Sequence, residues 1–170
     1  MTGFFQREIT NYAEYHRDER NALTHYFGIP IIFVSIVLVL NLWPVTVFGL
    51  STSAAVIAAA VVVIVWLALD LAVGLGLLVA VIPLMLIASA IVANVTTLAV
   101  WIVAAVLFVA GWALQILGHA HYEHRKPALV DNPVHLLIGP MFIMAKLLVA
   151  LGLRHDLAAI IDQAPHRAAL

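Results

Sequence analysis

Residues 71–118 read LAVGLGLLVA VIPLMLIASA IVANVTTLAV WIVAAVLFVA GWALQILG, and none of them carries a charge or an imidazole. Outward from this stretch, Asp70 is the sole charged side chain between Arg20 and Glu123, and no histidine lies between His25 and His119. A water-soluble domain needs a polar face on every element, so it cannot leave so long an interval bare. The chain is 65% hydrophobic and 10% charged, with a mean hydropathy of +1.10. Spanning a bilayer takes about 20 mainly apolar residues, and four runs qualify: Ile29 to Leu50, Ala54 to Leu69, Leu75 to Ala93 and Leu98 to Gly118. The fold class this predicts is all-α: an integral membrane helical bundle with four transmembrane helices.

Residues 1–28 are polar and read as a juxtamembrane helix rather than a cleaved leader, with the first run as the insertion signal. Four crossings return the chain to its starting side. Residues 1–28, the Asp70–Gly74 turn and residues 119–170 then share one face of a single membrane domain. Arg7, Arg17, Arg20, Arg125 and Lys126 would make that face cytoplasmic, the membrane being the cytoplasmic one if the chain is bacterial. The segment 133–153 is apolar but holds Pro140 and Lys146, and a crossing would carry Arg154 and Asp156 to the far side. A re-entrant or interfacial helix is therefore the favoured reading. Pro165, Arg167 and Leu170 belong to an expected short helix and tail. A net charge of −1 gives no case for nucleic acid, and the lack of cysteine excludes disulfides and thiolate ligands. Oligomeric state leaves no trace in the sequence.

The polar chemistry gathers at the borders of the bare interval. Tyr12 and His16 share one helix face, as do Asn21 and His25. His16 and His25 are nine residues apart and would point to opposite faces of an unbroken helix. They could serve one metal only if the helix bends, and Asp18 suits the N-cap of a second piece. Past the last run, Gln115, His119 and Glu123 form a stripe at i, i+4 and i+8. An imidazole and a carboxylate one turn apart suit iron, manganese or zinc. The same residues also suit a wet helix end near headgroups, where histidines and Arg125–Lys126 are at home. Asp70 either pairs with Arg17, Arg20 or Arg125 and fixes its turn, or supports a ligand.

These residues occur in a telling order: Tyr12-x3-His16-x4-Asn21-x3-His25-x2-Gly28-x-Pro30, Asp70-x3-Gly74, Gln115-x2-Gly118-His119-x3-Glu123, Pro127-Ala128 and Gly139-Pro140-x-Phe142. The set resembles the membrane-embedded 2-hydroxy fatty acid dioxygenases and covers nearly the whole chain. The resemblance implies an iron(II)-dependent enzyme of fatty acid α-oxidation, converting a 2-hydroxy fatty acid and dioxygen into the acid one carbon shorter. It carries metal ligation onto His16, His25 and His119, and the acidic partner onto Glu123, as a fourth metal ligand or a group supporting the ligands. It gives no role to His121 or His124, and Lys146 stands where a carboxylate is expected. Tyr12, Asn21 and Gln115 are candidates to orient ligands or bind the substrate carboxylate, and Asp70 completes the catalytic candidates.

A 2-hydroxy carboxylate can chelate iron through two oxygens and leave room for dioxygen if the protein supplies about three ligands. Such a substrate brings its own electrons, and no Gly-rich dinucleotide fingerprint is present. The acyl tail would stay among the helices and the membrane lipid, with Arg17, Arg20 or Arg125 attracting the head. A metal-binding scaffold or transporter is the rival class, though transport calls for polar residues at mid-membrane. A two-metal hydroxylase or desaturase would need more paired histidines.

Overall fold

A computed structural model describes residues 1–163. The stretch with Pro165, Arg167 and Leu170 lies outside the described residues. Helix α1 (Gly3–Ala13) starts on Thr2, whose hydroxyl accepts from Phe5 N–H. Helix α2 (Glu19–Leu40) starts on Asp18, whose carboxylate accepts from Arg20 N–H. The polar segment is thus two helices separated by residues 14–18, the bent arrangement that the spacing left open beside an unbroken helix.

The first apolar run departs from expectation. It ends as a helix at Leu40, well short of Leu50, because Trp43-Pro44 cannot continue it. Strands β1 (Pro44–Val47) and β2 (Leu50–Ser53) then pair antiparallel, with Val47 opposite Leu50. Phe48 and Gly49 close the ribbon with φ of +49° and +81°, the signature of a two-residue type I′ turn. Ser53 caps α3 (Ala54–Leu69) and also donates to Asn41 Oδ1 at 2.7 Å.

Asp70 alone separates α3 from α4 (Leu71–Asn94) and caps the latter through Val73 N–H at 3.0 Å. The connection is therefore shorter than the expected Asp70–Gly74 turn. Gly74 lies inside α4, where a Cβ would come within 2.7 Å of the Leu67 backbone, so it allows close approach. Thr96 caps α5 (Thr97–Gly118), which runs into a π-helical turn at His119–Glu123. Helices α6 (Ala128–Asp131), α7 (His135–Ala150) and α8 (His155–Gln163) follow.

Helices α2 to α5 alternate in direction. Asn41 at the end of α2 meets Ser53 at the start of α3, and Leu69 O at the end of α3 accepts Thr2 N–H. Helices α2 and α5 cross closely through Gly28 and Gly111. A Cβ on Gly111 would lie 2.6 Å from Ile32 Cγ1 and 3.1 Å from Gly28 O. Three helical stretches, Glu19–Leu40, Leu71–Asn94 and Thr97–Glu123, are long and apolar enough to cross a membrane. The 16-residue α3 is apolar but shorter, rising about 24 Å. Their outer faces expose Val79, Leu86, Leu98 and Val109, a surface suited to lipid.

Helix α7 has both ends tied to one end of the bundle. Just before it Asn132 Nδ2 donates to Glu8 Oε2 at 2.9 Å, with His135 Nε2 3.5 Å from the same oxygen, and Lys146 Nζ donates to Glu19 Oε1 at 2.8 Å. Just beyond α7, Arg154 pairs with Asp70. A buried cluster that includes Phe5, Ile9, Phe142 and Leu157 fills this end. A second, with Val37, Leu38, Ala55, Ala88, Val100 and Ala104, closes the other.

Candidate metal centre

The break at Asp18 turns His16 back toward α2. Its ring stacks on Tyr12 at 4.0 Å between centroids, and its Nδ1 lies 2.8 Å from Tyr12 O. His25 Nδ1 lies 2.9 Å from Asn21 O. A carbonyl only accepts, so each Nδ1 carries the hydrogen and each Nε2 is a bare lone pair. Those two Nε2 atoms face each other at 3.1 Å. Two lone pairs cannot bond to one another, so a proton or a cation belongs between them. Burial and the nearby His25 and His119 rings push His16 well below the usual imidazole range, which disfavours the proton.

His119 completes the group from the end of α5. Its ring centroid is 4.7 Å from that of His16 and 5.1 Å from that of His25. The π-helical turn widens the backbone there, and Gly118 lets it abut Asn21 and Thr24 without a side chain between. One nitrogen from each of the three rings lies within 4.8 Å of the others, and all three residues are buried. His119 Nδ1 has no hydrogen-bond partner among the described residues. Neutral imidazoles oriented by backbone carbonyls are metal-ligand chemistry, so the group fits a metal ion.

The remaining candidates take different places. Glu123 Oε1 accepts from Asp18 N–H at 2.9 Å and Asn21 Nδ2 at 3.0 Å, joining the start of α2 to the π-helical turn. It is not part of the three-histidine group. Tyr12 is buried, its phenol held neutral by a pKa raised through burial, and a Cβ on Gly139 would lie 2.9 Å from its hydroxyl. Gln115 is buried beside Gly28, with no partner for its Nε2 among the described residues. Asp70 sits apart, in a clasp with Arg154 at 2.7 and 3.1 Å and the N-terminal amine at 3.5 Å. Its partner is thus Arg154, not Arg17, Arg20 or Arg125, because α8 folds back against α1. His121 and His124 are exposed.

Sequence reasoning passes over His135. It is buried, with Nδ1 3.1 Å from Ala128 O and its ring edge-on to Tyr12 at 5.4 Å. The one hint was the Pro127-Ala128 pair, whose carbonyl it meets. Tyr12, His25, Gln115, His119 and His135 line the polar end of a cavity of about 360 Å³ that runs between α2, α3, α4, α5 and α7. Its other walls are almost wholly apolar, reaching Leu40 and Ala55 at the far end.

A family model described as 2-hydroxy-palmitic acid dioxygenase Mpo1-like matches residues 3–151. The chain is also similar to the 2-hydroxy-palmitic acid dioxygenase MPO1 of Saccharomyces cerevisiae, 44% identical over 57 residues. That stretch is 33% of this chain and 33% of the yeast protein, so the match spans about a third of the relative's length. No solved structure matches.

Proposed function

Since the chain belongs to the Mpo1-like family of 2-hydroxy-palmitic acid dioxygenases, we propose that it oxidises 2-hydroxy fatty acids to the fatty acid one carbon shorter, using iron(II) held by His16, His25 and His119. The observation that carries this reading is a group of three buried imidazoles, two of which, His25 and His119, line the polar end of an apolar cavity. A fatty acid has the same two-part character, a chelating head and a long tail.

The balance is R–CHOH–COO⁻ + O₂ → R–COO⁻ + CO₂ + H₂O. The C1–C2 bond breaks, C1 leaves as carbon dioxide, and C2 becomes the new carboxylate. The substrate supplies all four electrons that dioxygen takes up. Bound iron(II) would supply a Lewis-acidic, redox-active centre for the hydroxy acid and dioxygen. The protein's own groups do the rest. Tyr12 O and Asn21 O fix two rings so that their Nε2 atoms converge. Glu123 ties the start of α2, which carries His25, to the π-helical turn that carries His119. Gln115 Nε2, lacking a partner among the described residues, is available to a substrate oxygen. The apolar walls exclude water and hold the tail.

The test is to purify the protein, measure bound metal, and supply 2-hydroxypalmitic acid under oxygen. Stoichiometric iron and appearance of the acid one carbon shorter are expected. Protein that binds no metal, and forms no shortened acid after iron is added back, would end this reading.

A further inference from the structure

The cavity wall contributed by α3 changes in size along its length. Ala55, Ala59, Val62 and Trp66 all line it and recur at i, i+4, i+7 and i+11, one face of the helix. Trp66, at the metal end, donates its indole N–H to Leu137 O at 3.0 Å and is fixed there. Ala55, at the far end, is buried in the cluster that closes the bundle. The wall therefore narrows the space near the histidines and leaves it open at depth. Gln115 is 6% exposed, lines the same cavity, and has an Nε2 without a partner among the described residues, which marks the cavity as a place for a polar-headed ligand.

We infer that this α3 face sets the chain length of the acyl tail, with Ala59 as the residue the tail passes and Ala55 as its floor. The inference rests on the fatty acid reading above. Along α2 the lining runs from His25 to Leu40, a rise of about 22 Å. One leaflet of a bilayer, the depth of a single membrane-lipid chain, is about 15 Å. The cavity thus takes a long, extended saturated chain. A chain that stops short forfeits contact with the deep wall, about fourfold in affinity per methylene.

Unsubstituted saturated fatty acids, from medium to very long chain, test this without turnover. Their affinities are read by displacement of a fluorescent polyene fatty acid from the detergent-solubilised protein. For the unaltered protein, affinity rises about fourfold per carbon up to a limit. Ala59→Phe lowers that limit. Ala55→Phe lowers it by fewer carbons, since it lies one turn deeper. Val56→Phe, exposed on the same turn, leaves it unchanged and controls for general damage. If Ala55→Phe does not fold, Ala59→Leu carries the comparison. A limit unmoved by the Ala59 substitutions, equally moved by Val56→Phe, or absent in the unaltered protein overturns the inference. Turnover of 2-hydroxy acids is scored separately. A protein with the length limit but no oxidation refutes the dioxygenase reading alone, and one that oxidises all lengths equally in every variant refutes the ruler alone.

Discussion

At the residue scale, His16 and Glu123 stand for two kinds of contribution and separate experimentally. His16 Nε2 faces His25 Nε2 at 3.1 Å, with a His119 nitrogen within 4.8 Å. Removing the ring removes a ligand, so His16→Ala should lower bound iron to background. Metal that binds only the native state at a hundredfold excess over its dissociation constant adds about 2.7 kcal/mol. That metal-dependent gain should vanish with His16→Ala. Glu123, by contrast, uses one oxygen to accept two N–H bonds. Glu123→Gln keeps an oxygen there and should retain iron and most turnover. Glu123→Ala should cost about 1–3 kcal/mol by orphaning Asn21 Nδ2 and Asp18 N–H. Iron content and unfolding midpoints of the three variants decide the matter, and loss of iron in Glu123→Gln would make Glu123 a ligand. His25 and His119 were legible because they border the bare interval, each four residues from Asn21 or Glu123, while His16 joined them only through the family resemblance. His135 was not: a lone histidine in an apolar segment has no spacing to read, and its neighbour Glu8 is brought to it only by the fold.

At the element scale, the break before α2 was readable because Asp18 is a strong N-cap between two histidines of incompatible phase. The ribbon at 44–53 was not, since Val45, Val47 and Leu50 continue an apolar run and only the backbone sign at Phe48-Gly49 distinguishes a hairpin from a helix end. The partner of Asp70 was equally hidden, because Arg154 lies 84 residues further along and meets it only through the fold. That clasp has a pH signature. Burial works to raise the Asp70 carboxyl, but Arg154, Val73 N–H and the N-terminal amine together hold it below its usual 3.8. A carboxyl lowered by folding contributes its full stabilisation above its unfolded value and loses it as pH falls through the folded one. Asp70→Asn keeps an oxygen to cap α4 and removes only the charge. The stability difference between the unaltered protein and Asp70→Asn, about 1–3 kcal/mol, should stay constant from neutral pH to about 4 and shrink below. Unfolding midpoints across that range check it, and a difference that grows as the solution is acidified would contradict the clasp.

At the scale of the whole molecule, the bare interval is the length of chain that carries His25 away from the site and brings His119 back to it. Each reversal is made by few residues: the ribbon, Asp70 alone, and Val95-Thr96. We propose four crossings, with α3 short enough that the apolar ribbon beside it completes its depth, and with the metal centre on the face rich in Arg and Lys. The decisive element is α7. Its 16 residues are mostly apolar, yet its first residue lies by Glu8 and its Lys146 by Glu19, two positions on the same end of the bundle. We propose that this helix, held at both ends on one face, lies along the bundle instead of through the membrane. Because the chain has no cysteine, single cysteines report sidedness without background. Ser51→Cys and Thr96→Cys should react with an impermeant maleimide on intact cells, and Ala120→Cys only after the membrane is opened. Leu153→Cys, exposed just beyond α7, should behave as Ala120→Cys does. If it labels with Ser51→Cys and Thr96→Cys instead, α7 crosses, the Arg154–Asp70 clasp cannot form in the membrane, and the floor beneath the three histidines has to come from elsewhere.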